Sequence, residues 1–338
     1  MIGETKLNMN TAPWQLNLEL TTRCPLRCPQ CYCDLERAKD LDPDRAIVVL
    51  RQAAKLGVSN INLSGGETML YPHLHRLIEE CRDLGLCSSI ALSGYGLDES
   101  SLQKLIDSGV DYIFISLNGS TEEVSNKTRD GFEFAINALE LLKRFEFPKT
   151  SVNWVAHSEN IADFRNVVLL CSELKVMQLM VMLFKPDSSF RMDSAPGEED
   201  FCSLAEDIKQ LRVELPNLII DVESCYSPLL AYLGQKFFGN MNRGVAKGCV
   251  AGRDAASLNV DGLFIPCRHL DFDEDYDDLR DYWQNSEVLQ TLRTVEENPG
   301  PPCNNCEFSN FCLPCLAVNA KMHGKIEKSN KDCFLHLR

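Results

Sequence analysis

Residues 22–33 read TRCPLRCPQCYC, and the rest of the chain is understood from this stretch. Cys24, Cys28 and Cys31 stand at C-x3-C-x2-C spacing, with Tyr32 directly after the third. A four-iron cluster normally takes four cysteine thiolates, so a set of three leaves one iron open to another ligand. A zinc knuckle, or a group of unrelated thiols, is the alternative for the same residues.

Immediately upstream lies WQLNLEL (14–20), whose alternation of apolar and polar residues predicts a strand ending at the cysteine loop. Downstream, Asp42, Pro43 and Gly57 suit the N-cap, first position and C-terminal stop of a helix over 43–56. The alternation then continues. Strands are expected at 60–63, 87–92, 111–117, 151–156 and 176–184, and helices at 72–85, 98–109, 132–145, 161–174 and 198–215. Six strand–helix units imply an α/β fold with a parallel sheet and helices outside it. Periodicity does not separate an open doubly wound sheet from a curved barrel.

From Pro216 the texture changes, with dense cysteines and recurring Gly and Pro (Gly244, Gly248, Gly252, Gly262, Pro299, Pro301, Pro302). The acidic run at 271–281 reads as a solvated loop. The expected division is an N-terminal extension at 1–13, an α/β unit at 14–215 and a smaller, metal-stapled unit at 216–338.

Bulk properties narrow the function classes. The 338-residue chain carries a formal net charge of −15, which disfavours nucleic acid or an anionic membrane as partner. No apolar run is long enough for a membrane span, and the first residues, MIGETKLNMN, lack a signal core. A cytoplasmic location is therefore expected. There the sixteen cysteines point to metal ligation or catalysis rather than disulfides. Cys81, Cys87, Cys171 and Cys202 interrupt apolar patterns and read as buried packing thiols.

Ser64-Gly65-Gly66-Glu67 ends the second expected strand, where active sites of parallel β/α folds gather. Paired glycines allow a close backbone approach to a ligand, and Glu67 supplies negative charge. The cysteine loop with its aromatic, followed one strand later by GGE, resembles the signature of radical S-adenosylmethionine (SAM) enzymes. That resemblance implies a partial (β/α)6, TIM-like barrel. It also implies a [4Fe-4S] cluster on Cys24, Cys28 and Cys31, with SAM on the open iron and its amino group at Gly65, Gly66 and Glu67. Ser116 and Asn118, closing the fourth strand, and Asn153, in the fifth, lie where family members contact SAM, although ordinary strand-end hydrogen bonds compete as the explanation. Arg129 has the reach for the SAM carboxylate, but a surface role is the expectation. Cys33 has no cluster to join and is expected to pack.

The C-terminal cysteines form an array: Cys249, Gly262, Cys267, then Cys303-x2-Cys306-x5-Cys312-x2-Cys315, then Cys333. This is similar to the SPASM domain, which carries auxiliary four-iron clusters, although the last spacing of the quartet is usually three residues. The SPASM arrangement implies a distal cluster on Cys303, Cys306, Cys312 and Cys333, and a proximal one on Cys249, Cys267 and Cys315. Cys225 is the candidate to complete the proximal set. Paired zinc ribbons are the rival for the whole array.

SPASM-containing radical SAM enzymes act mostly on peptides and proteins, and the whole chain resembles maturases of ribosomally made peptides with Nif11-like or nitrile-hydratase-like leaders. The resemblance implies hydrogen abstraction from a precursor peptide by a 5′-deoxyadenosyl radical, leading to backbone excision, cross-linking, thioether formation or epimerisation. It implies an electron donor such as ferredoxin or flavodoxin. About thirteen residues precede the first strand, so leader recognition is expected in a separate partner protein. Sulfatase-activating members carry an acidic base after the second SPASM cysteine, whereas Arg268 follows Cys267 here. A small-molecule substrate and a non-catalytic metal scaffold are the remaining alternatives. Tyr95, Lys185 and Arg191 lie near expected strand ends, as candidate substrate-side groups without an assigned role.

Overall fold

The computed structural model describes residues 11–185, 194–234, 248–310, 312–331, 333 and 335. Arg191 and Gly244 lie outside them. The chain runs through β1 (Gln15–Glu19), α1 (Pro43–Leu56), β2 (Asn60–Ser64), α2 (Leu74–Asp83), β3 (Cys87–Leu92), α3 (Glu99–Ser108) and β4 (Tyr112–Ser116). It continues with α4 (Glu122–Ser125), α5 (Phe132–Arg144), β5 (Thr150–Val155), α6 (Phe164–Glu173), β6 (Gln178–Met182) and α7 (Glu198–Glu214). Helix α1 has the ends its sequence predicts. The Asp42 carboxylate accepts the Arg45 N–H, Pro43 opens the helix, and Gly57 closes it in the left-handed region at φ 90°.

Among the described residues the strands form one sheet in the order β7-β6-β5-β4-β3-β2-β1-β8-β9. Strands β1 to β6 sit in sequence order and pair in parallel, so each crossover steps the same way. Right-handed connections then put every crossover helix on one side. That side is dry: Leu16, Leu18, Ile61, Leu63, Ile113 and Ile115 are fully buried. The opposite face carries the strands' polar residues among apolar ones such as Phe114 and Met180, and its hydrogen bonds run between strands, Asn62 to Ser89 at 3.0 Å and Gln178 to Asp221 at 3.4 Å. A parallel strand covered by helices on both faces would read as continuously apolar. The alternation in WQLNLEL therefore reports an inner face left for polar side chains. This is the open, barrel-like architecture expected.

The sheet continues past Pro216. Strand β7 (Ile219–Val222) pairs in parallel with β6, and β8 (Ala255–Leu258) pairs in parallel with β1. Strand β9 (Phe264–Ile265) adds an antiparallel edge. The cysteine-rich half thus contributes strands to both ends of the same sheet. Short helices fill the remainder: α8 (Ser227–Tyr232), α9 (Leu279–Asn285), α10 (Glu287–Thr294) and α11 (Leu316–His323). Cys81 and Cys171 pack in the main core, where burial pushes both thiols up to about 12. Cys202 packs partly buried against that core.

Candidate active site

The C-terminal ends of β1 and β2 bring the two N-terminal motifs together. Beyond β1, the Gly66 N–H donates to the Thr21 carbonyl at 2.6 Å and the Glu67 N–H to the Arg23 carbonyl at 2.8 Å. A Cβ on Gly65 would fall on the Thr21 carbonyl oxygen, and one on Gly66 on that of Arg23, both well inside van der Waals contact. The paired glycines thus let one backbone lie on another, seating the GGE turn directly under the cysteine loop. The close approach expected toward a ligand is made toward residues 21–23 as well. Arg23 anchors the same segment through Asp40 at 2.6 Å and the Leu70 carbonyl at 2.8 Å.

Cys24, Cys28 and Cys31 lie close enough to act electrostatically on one another. Burial pushes the Cys24 thiol up to about 11 and also raises Cys28. Such thiols become thiolates when a metal centre supplies the compensating positive charge. The loop docks on the segment after α4, where the Arg27 N–H donates to Asp130 at 3.0 Å and the Gln30 N–H to the Thr128 carbonyl at 3.3 Å. The Cys33 thiol turns away to the Gly65 carbonyl at 3.4 Å and also contacts Cys31.

Glu67 is 1% exposed. One of its carboxylate oxygens accepts the Met69 N–H at 3.1 Å, and the other accepts both the N–H of Ser93 at 3.0 Å and its hydroxyl. Burial raises its pKa, with Ser93, Met69 and Arg129 opposing. The oxygen that accepts from Met69 keeps capacity for a further donor. Arg129 is partly buried rather than a freely exposed surface group. It lies within electrostatic range of Glu67 and Cys28, and its Nε is buried without a hydrogen-bond partner. Neither Ser93 nor the inward turn of Arg129 carries a local sequence signal, because both depend on how separate strand ends meet.

The strand-end polar residues divide. Ser116 and Asn153 pair across β4 and β5 and share the inner face. Asn118 is fully buried, and its amide donates to the Thr128 hydroxyl at 2.8 Å while its oxygen accepts the Val155 N–H at 3.2 Å. Its carboxamide ties loops together, the ordinary strand-end alternative.

Cys267 lies just beyond β9, and the Arg268 that follows it donates to the Ser64 hydroxyl and lies over the Tyr32 ring, 5.6 Å from its centroid. His269 packs on the same ring in a tilted contact, 4.4 Å between centroids. Burial opposes the charge on Arg268, but Tyr32, Glu19 and the neighbouring thiols raise its pKa overall. The aromatic of the cysteine loop is therefore the contact surface for the C-terminal half. Tyr95 packs edge-on against Phe134, 5.3 Å between centroids.

The later cysteines gather in two sets. Cys225 hydrogen-bonds with both Cys249 and Cys315, and Cys267 lies within electrostatic range of Cys315. Cys303, Cys306, Cys312 and Cys333 line one small cavity with Pro228, Phe308 and Leu335 among its other walls. Burial pushes Cys312 up to about 12, and Ser227 lies 3.1 Å from its sulfur. Among the described residues no three His, Cys, Asp or Glu side chains converge tightly enough for one metal ion. The donor chemistry of each set, thiols throughout, suits an iron–sulfur group. A cleft of about 540 Å³ contains no cysteine and is lined by self-paired charges such as Lys39 and Asp261. It lies apart from this chemistry.

Comparison with known proteins agrees with this geometry. The Radical SAM superfamily model matches residues 18–171. PqqA peptide cyclase of Ruegeria pomeroyi is 28% identical over 326 residues, covering 91% of this chain and 83% of that protein. PqqA peptide cyclase of Gluconobacter oxydans is 37% identical over 175 residues, covering 50% of this chain and 48% of that protein. Streptococcus suis SuiB bound to precursor peptide SuiA matches in fold with a TM-score of 0.81 at 19% identity, covering 97% of this chain and 77% of that one. No helix among the described residues is long and apolar enough to cross a membrane. The loop that holds Cys24, Cys28 and Cys31, and the GGE turn locked beneath it, both fall within residues 18–171, the span that matches the Radical SAM superfamily model.

Proposed function

We propose that this chain is a radical SAM enzyme that modifies a ribosomally made precursor peptide in the cytoplasm. The observation that carries the reading is the three-thiol loop seated over Glu67 at the ends of β1 and β2. It occurs in a chain similar to PqqA peptide cyclases over 91% of its length. That similarity favours cross-linking within the peptide over excision, thioether formation or epimerisation.

A [4Fe-4S] cluster on Cys24, Cys28 and Cys31, with SAM on its open iron, supplies the radical chemistry when bound. The chain's own groups position it. Glu67 offers a buried carboxylate for the SAM ammonium, held in place by Ser93 and Met69. Arg129 offers a partly buried guanidinium for the SAM carboxylate. Ser116 and Asn153 face the same interior, where a radical must be kept from water.

The two later cysteine sets hold auxiliary clusters in the SPASM manner, Cys225, Cys249, Cys267 and Cys315 the proximal one, and Cys303, Cys306, Cys312 and Cys333 the distal. Their gathering into two groups supports this. A ferredoxin or flavodoxin supplies electrons, and a separate protein recognises the leader.

Anaerobically reconstituted enzyme, given reductant, leader-binding protein and precursor peptide, should form 5′-deoxyadenosine well above the no-peptide background. It should carry about twelve irons per chain, four for each cluster. Peptide-independent turnover, or zinc without sulfide, would overturn the reading.

A further inference from the structure

Lys185 follows β6 and Glu223 follows β7, so neighbouring parallel strands deliver the two charges side by side. Their side chains are only 9% and 15% exposed. Glu223 also accepts the Leu183 N–H at 3.2 Å, which fixes its carboxylate. Glu223 stands two residues before Cys225. Leu183 and Phe184, just ahead of the lysine, line the cavity that Cys225 and Cys315 line. The pair thus stands in the chain beside residues of that wall, Phe184 next to Lys185 and Cys225 two after Glu223.

Its two halves do not act equally there. Burial opposes the Lys185 charge, yet Glu223, Cys225 and Cys315 outweigh it and raise the lysine's pKa. Lys185 acts on Cys225, Cys267 and Cys315, whereas among these thiols Glu223 acts on Cys225. A fixed positive charge near an iron–sulfur group favours its reduced, more negative form, and cluster potentials respond to local charge.

We propose that Lys185, held by Glu223, is the buried countercharge of the proximal cysteine set and tunes the reduction potential of the iron–sulfur group bound there. The proposal rests on the auxiliary-cluster reading of Cys225, Cys249, Cys267 and Cys315. It makes Lys185 a positioning residue for charge rather than a substrate-side group. A plain staple between two strand ends would leave the potential unchanged.

The test is an EPR-monitored redox titration of the full chain carrying Cys24→Ala, Cys28→Ala and Cys31→Ala, which leaves only the later cysteine sets. This protein should retain about eight irons, two clusters of four. Lys185→Met should lower the midpoint of one signal and leave the other in place, while Lys185→Arg restores it. Glu223→Gln should move the same signal upward, a sign that mere loosening of the pair would not produce. Unchanged midpoints at full iron content would overturn the proposal. If Lys185→Met loses iron, absence of the upward shift in Glu223→Gln overturns it instead. About four irons in the parent would sink the proximal-cluster reading, and the proposal with it.

Discussion

The Gly66 N–H donates to the Thr21 carbonyl at 2.6 Å, so the turn that carries Glu67 and the loop that carries Cys24 are in direct backbone contact. There is no room between them for a side chain. Gly66→Ala would drive its Cβ into the Arg23 carbonyl, and Gly65→Ala adds an unfavourable backbone at φ 153°. Either variant should lose about four irons per chain, one cluster, while the auxiliary clusters remain. Iron and sulfide analysis with EPR checks this, and full retention of iron would show that the loop adapts.

Glu67 and Arg129 supply opposite charges at one place, suited to the ammonium and carboxylate of one amino acid. Charged hydrogen bonds contribute about 1.5–3 kcal/mol, so Glu67→Gln or Arg129→Gln should weaken SAM binding by roughly 10- to 100-fold. Iron content should not change. Equilibrium dialysis of SAM against the reconstituted protein measures the loss, and Ser93→Ala, which removes only the group holding Glu67, should cost less.

Asn118 separates a structural role from a binding one. Its replacement by Ala strands the buried Val155 N–H and Thr128 hydroxyl, a loss of about 1–3 kcal/mol. Denaturant unfolding should show this, and SAM affinity of the folded fraction should match the parent. A selective loss of SAM affinity would return Asn118 to the cofactor site.

His157 provides a pH-dependent element, its ring edge-on to Phe184 at 5.2 Å between centroids. Burial holds its pKa below the ordinary value, and its Nδ1 accepts the Glu159 N–H at 3.1 Å, so the ring is neutral with its proton on Nε2. A folded-state pKa below the unfolded one means this contribution is present above about pH 6.5 and is lost as pH falls through the depressed value. Stability measured by urea unfolding should decline on acidification over that window. His157→Asn, which keeps an acceptor near the Nδ1 position, should flatten the decline.

Metal removal should act unevenly. The region after β7 shares the core of the α/β half, but it is built of two short strands, short helices and two thiol sets. Chelation should therefore speed proteolysis after residue 216 more than before it. Cys225→Ala should lose about four irons and reproduce part of that sensitivity. An unchanged digestion pattern would mean that packing alone orders the C-terminal half.

The sequence by itself determined the local grammar of this protein. Cysteine spacing, the GGE turn, the capped helix α1 and the polar–apolar alternation of the strands each depend on residues only a few positions apart. That sufficed for the radical SAM assignment and for the barrel-like class. Tertiary structure alone decided matters that depend on distant residues meeting. It turned Arg129 inward, spent Asn118 on Thr128 and Val155, and set Lys185 against Glu223. It also carried β7 and β8 past Pro216 into the same sheet and brought Cys225 to Cys249 and Cys315. Parallel pairing joins strands as far apart as Gln15 and Ala255. Such pairing is set by register and packing across the whole chain, so no short window of sequence contains it.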